Sequence, residues 1–91
     1  MRSYKYETQA FLRIVNPCEA SKDFCTSYRT HILSINHGVH KKRLEFGDGC
    51  ATLRTTKNGL HLHVKAIDLV TLLGIKCLLQ IGFGSSYNLQ G

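Results

Sequence analysis

Between residues 44 and 66 the chain reads "LEFGDGCATLRTTKNGLHLHVKA", with apolar and polar side chains alternating and two interruptions. A period of two predicts strands with one buried face. The interruptions, Asp48-Gly49 and Asn58-Gly59, are dipeptides that accept the positive φ angles of tight hairpin turns. Three strands are therefore predicted: "HKKRLEF", "CATLRT" and "LHLHVKA". Taking Asp48-Gly49 as a two-residue loop pairs Phe46 with Ala51, Leu44 with Leu53 and Arg43 with Arg54. Taking Asn58-Gly59 likewise pairs Leu53 with Val64, Thr55 with Leu62 and Arg54 with His63. Both registers put Leu44, Phe46, Ala51, Leu53, Leu62 and Val64 on one face, and a one-residue slip would break that agreement.

The flanks supply the remaining elements. "YETQAFLRIV" is rich in aromatic and β-branched residues and predicts a strand. It stops at Asn16, a helix-capping residue, followed by Pro17 at a first helical position and Glu19 placed as in a capping box. Ala20, Phe24 and Tyr28 then form one face of a helix. "THILSIN" is read as a strand, with "NHG" as a hairpin loop after it. A last helix is expected from about Asp68 to Gln80, with Gly82 as its stop. Leucine, isoleucine and valine cover most of its circumference, so it either lies deep or reserves surface for a partner. "SSYNLQG" at 85–91 leaves a short final strand open. The fold class is α+β: an antiparallel meander of four to six strands with two helices packed on one face, in the order strand, helix, four strands, helix.

Composition narrows the class. Ninety-one residues, 43% of them hydrophobic, support one domain spanning 1–91. The opening "MRSYKYETQ" is not a secretory leader. The most apolar segment contains Asp68, Lys76 and Gln80, so a core helix is expected rather than a membrane span. Cys18, Cys25, Cys50 and Cys77 show no regular spacing, which fits reduced thiols in the cytoplasm. The net charge of +6 favours anionic partners. Its densest cluster, "HKKR" at 40–43, reads as a solvated strand.

The expected polar face carries Arg43, Glu45, Thr52, Arg54, His61, His63 and Lys65. In the predicted register Arg43, Arg54 and His63 form one row, where adjacent like charges are unfavourable and an anion would relieve them. Arg43, Arg54, His61, His63 and Lys65 are thus candidate anion ligands, with an ordinary solvated face as the alternative. His63 is expected to donate when protonated, so binding would strengthen as pH falls through about 6.5. His61-x-His63 has basic neighbours that oppose a dication, so no metal and no cofactor is expected there. His31, His37, His40 and Cys25 form a looser group. No catalytic motif is found, and a non-catalytic domain is expected. Nucleic-acid binding competes, although the predicted face lacks aromatic side chains for stacking. A homodimer through the last helix is a third option.

At "EFGDGCATL" and "GLHLHVKAIDLVTLL" the chain resembles a family of small bacterial proteins known as a domain of unknown function, family twenty-two eighteen. The matching residues are Phe46, Gly47, Gly49, Thr52, Leu53, Val64, Ala66 and Asp68, and "ASKDF" at 20–24 is similar to the family's first helix. The likeness runs from Ala10 onward. The family's Cys-x-His near the end of that helix is replaced here by Tyr28 and Thr30. Relatives of the domain occur joined to siderophore-interacting flavoproteins. The resemblance therefore implies a link to iron or siderophore handling, and together with the basic face it makes an anionic small molecule or a siderophore-pathway protein the expected partner.

Overall fold

The computed structural model describes residues 4–84. The short final strand left open at 85–91 lies outside them. Strands β1 (Tyr6–Leu12), β2 (Ser34–His37), β3 (Lys41–Glu45), β4 (Gly49–Thr55) and β5 (Leu60–Ala66) form one antiparallel sheet in the order β1-β5-β4-β3-β2. Helix α1 (Pro17–Ser27), a 3₁₀ turn (Arg29–His31) and helix α2 (Leu69–Phe83) complete the described chain. The α+β architecture follows from the alternation: β2 to β5 are a meander, and β1 returns to pair with β5.

Each hairpin slides by two residues relative to the predicted register. Leu44 faces Ala51 and Arg43 faces Thr52, while Arg54 lies between Lys41 and His61. The turns are Gly47-Asp48 and Lys57-Asn58, closed by Phe46 N–H donating to Gly49 and Thr56 N–H donating to Gly59. The reason lies in the two following glycines, which are taken up by tertiary contact. A Cβ on Gly49 would sit 2.7 Å from Ile75 Cδ1 and 2.8 Å from the Lys65 carbonyl oxygen, and one on Gly59 would overlap the Leu12 carbonyl oxygen. Gly47 instead supplies the positive φ, at +93°. Thr56 Oγ1 braces the second turn by accepting from the Gly59 N–H at 3.1 Å. A slide of two keeps every side chain on its face, so the predicted core survives while every row changes.

The covered face buries Leu12, Leu44, Ala51, Leu53, Leu60, Leu62, Val64 and Ala66 against Phe24, Leu72, Ile75, Leu79 and Phe83 of the helices. Each such leucine contributes about 1.5–3 kcal/mol through removal of apolar surface from water. Asn16 occupies the N-cap of α1, but its side chain makes no capping hydrogen bond, so Pro17 and the backbone set that start. Asp68 does cap α2, its carboxylate accepting from the Thr71 N–H at 2.7 Å. Gly82 is not the stop expected of it. It packs against the Phe24 ring, and α2 ends at Gly84 with φ +56°. The segment "THILSIN" divides into the 3₁₀ turn and β2, and the first hairpin turns at Val39-His40 rather than within "NHG". The outer side of α2 exposes Leu69, Val70, Leu73 and Ile81. Among the described residues no helix is long and apolar enough to cross a membrane.

Candidate anion-binding face

Three rows of side chains cross the open face of the sheet. The register places Glu45, Cys50, Lys65 and Glu7 in one row, Arg43, Thr52, His63 and Gln9 in the next, and Lys41, Arg54, His61 and Phe11 in the third. The predicted row of Arg43, Arg54 and His63 does not form, because the two-residue slide separates Arg54 from both.

Local pairing divides this face by charge. Arg43 Nε donates to Glu45 Oε2 at 2.7 Å, along the same strand. Cys50, Glu45 and a Tyr4 hydrogen bond hold the Arg43 guanidinium further into its charged range. His63 Nε2 donates to Glu7 Oε1 at 2.9 Å, and His61 Nε2 donates to Gln9 Oε1 at 3.1 Å. His63 is thus already engaged by a carboxylate of β1. Lys65 stands directly between Cys50 and Glu7. The end of the face built from Arg43, His63 and Lys65 is thus balanced by Glu45 and Glu7. The opposite end is not: the row Lys41, Arg54 and His61 contains no carboxylate, and neither Lys41 nor Arg54 forms an ion pair with a described residue.

Of the five candidate ligands, Arg54 and His61 share the acid-free row, Arg43 and His63 share the middle row, and Lys65 lies in the row of Glu45, Cys50 and Glu7. Lys41 belongs with Arg54 and could have been found only from the true hairpin register. Glu7, Gln9 and Phe11 were equally hidden, since nothing local in "YETQAFL" states which strand it will join. Phe11 is a half-buried aromatic on the open face, beside His61, and corrects the expectation that this face has none. Of the looser group, Cys25 and His37 line one cleft on the helix side of the sheet, while His31 packs 6.0 Å from Tyr28 and His40 sits in a turn. Among the described residues no group of three or more histidine, cysteine or acidic side chains is placed to hold a metal ion.

No protein-family model, curated protein or solved structure matches the chain.

Proposed function

We propose that this domain binds an anionic ligand without transforming it, at the basic end of its open sheet face. One observation carries the reading: Lys41, Arg54 and His61 stand side by side on three adjacent strands in a row without a carboxylate. Like charges opposed across strands cost some tenths of a kcal/mol. A bound polyanion reverses that sign, and the Arg54 guanidinium offers forked donors to carboxylate or phosphate. Binding is preferred to turnover because His61 and His63 are each engaged by a β1 side chain, Gln9 and Glu7, rather than by a nucleophile. The resemblance to the domain family directs the choice of anion towards a ferric siderophore, and the four free thiols fit a reducing, cytoplasmic setting.

A citrate titration followed by backbone amide resonances tests this reading. Saturable shifts are expected to centre on Lys41, Arg54 and His61, and Arg54→Ser should weaken binding roughly tenfold, the worth of one charge-assisted contact. Absence of saturable shifts along that row would refute the site.

A second reading, single-stranded nucleic acid, gains from Phe11, which adds a ring to the same row. Base–aromatic stacking and phosphate contacts would then act together. It predicts that an oligonucleotide shifts the Phe11 and Arg54 resonances at low salt and is released steeply as salt rises. No shift with an oligonucleotide at low salt leaves the small-anion reading alone.

A further inference from the structure

The helix-covered face of the sheet is uncharged along β1, β4 and β5, and on β3 it carries one charged residue. Lys42 is in step with Leu44, and its neighbours across the strands are Leu53 and His37. It is half-buried. A lysine among leucines breaks a pattern that is otherwise kept throughout this face, and such breaks concentrate at functional positions.

Lys42 opens into a cleft of about 200 Å³ between α1 and the β2–β3 corner. Lys22, Thr26 and Arg29 reach it from the helix side, and His37 and Lys42 from the sheet. Their placement follows from local geometry. Lys22 and Thr26 are spaced by four on one stripe of α1, Arg29 opens the 3₁₀ turn that follows the helix, and His37 and Lys42 are a directly opposed strand pair. Buried Cys25 and half-buried Ile35 complete the lining. No aspartate or glutamate borders the cleft. Glu19 and Asp23 of α1 line a neighbouring, larger depression near the start of the helix, which shares Lys22 with this cleft.

Three fixed cations and an imidazole therefore converge on one concavity without a counter-charge from its walls. Cys25 does not supply one, since burial pushes its thiol pKa up and the opposing influence of Lys42 is smaller. A concavity lined by one sign of charge attracts an anion more strongly than the same charges spread over a flat face. The half-buried Lys42 side chain has no carboxylate among the cleft's lining residues, and a bound anion would supply one negative charge to all three cations.

We propose that this cleft is a second binding site, distinct from the open face, for a tetrahedral oxyanion such as a phosphate group. Arg29 presents its fork, Lys22 and Lys42 their ammonium groups, and Thr26 and His37 further donors. The volume equals the liquid share of about six or seven water molecules. That admits the oxyanion with a small substituent.

The probe is inorganic phosphate, compared with chloride at matched ionic strength. Phosphate is expected to raise the melting temperature and to shift the amides of Thr26, His37 and Lys42. The amide shifts should persist in Arg54→Ser, disappear in Lys42→Met and weaken roughly tenfold in Arg29→Gln. Lys42→Met keeps an unbranched stem without the ammonium and should be the more stable variant in chloride alone. Arg29 is exposed, so Arg29→Gln is a test that does not depend on the fold tolerating a change at Lys42. Shifts of the cleft amides that survive Lys42→Met and Arg29→Gln, or none in the unaltered chain, would overturn the proposal. Phosphate binding lost in Arg54→Ser alone would also overturn it and assign the anion to the open face. Citrate failing there while phosphate binds the cleft would remove the open-face reading and keep this one.

Discussion

A methyl group on Gly59 would land on the Leu12 carbonyl oxygen, at a backbone φ of +155°. Relief would require β1 to move away from β5 at its C-terminal end. Gly59→Ala should therefore lower stability by about 2–4 kcal/mol, the range of backbone-strain and overpacking effects combined. Urea unfolding measures it, and a loss below about 1 kcal/mol would mean that the end of β1 yields easily. Gly82 poses a contest between two effects. Alanine there gains up to about 1 kcal/mol of helix propensity, but its methyl group would overlap the Phe24 ring. That ring is 3% exposed and stacked 5.0 Å from Phe83, so it has no room to retreat. Packing should win, and Gly82→Ala should destabilise. The thiols sort by exposure in the same way. Cys18 and Cys77 are exposed and Cys25 and Cys50 buried, so alkylation of the folded protein should modify two thiols quickly and the other two only on unfolding.

Helix α2 shows how one carboxylate can govern an element. Hydrogen bonding from Thr71 holds the Asp68 pKa below its ordinary value of 3.8. A pKa lower in the folded chain means stability that is present above 3.8 and lost as pH falls through the folded value. Asp68→Asn keeps an oxygen acceptor at the N-cap but does not titrate. The melting temperatures of the two proteins should therefore converge as pH is lowered from neutral towards 2, with the parent higher at neutral pH. Parallel curves would show that the cap bond does not govern this end of the helix. Both helix starts were readable because their signals are local: Pro17 after Asn16 for α1, and the Asp68 side-chain cap for α2. The stop was not: Gly82 and Gly84 are both available to end a helix, and the approach of Phe24 assigns one to packing and the other to the turn.

Across the whole molecule, one apolar layer joins the sheet to both helices, and Leu53 on the central strand β4 is fully buried within it. Leu53→Ala should cost about 2–5 kcal/mol. Against a total of about 5–15 kcal/mol for a small domain, that change would bring the fold close to its limit, as thermal unfolding would record. Charge is arranged at the same scale: "HKKR" is not one patch, because strand alternation sends Lys41 and Arg43 to the open face and Lys42 to the helix side. Local rules determined which residues are strand or helix and which face each side chain takes. Alternation and capping act within a few residues, so they are written in the sequence. The pairing rows, the partner of β1, and therefore the company of Arg54, His63 and Lys42 were decided only by the tertiary structure. A two-residue slide leaves every side chain on its own face, so the hydrophobic pattern is blind to it. What separates the two registers is the contact of Gly49 with α2 and of Gly59 with β1, made by residues far away in the chain.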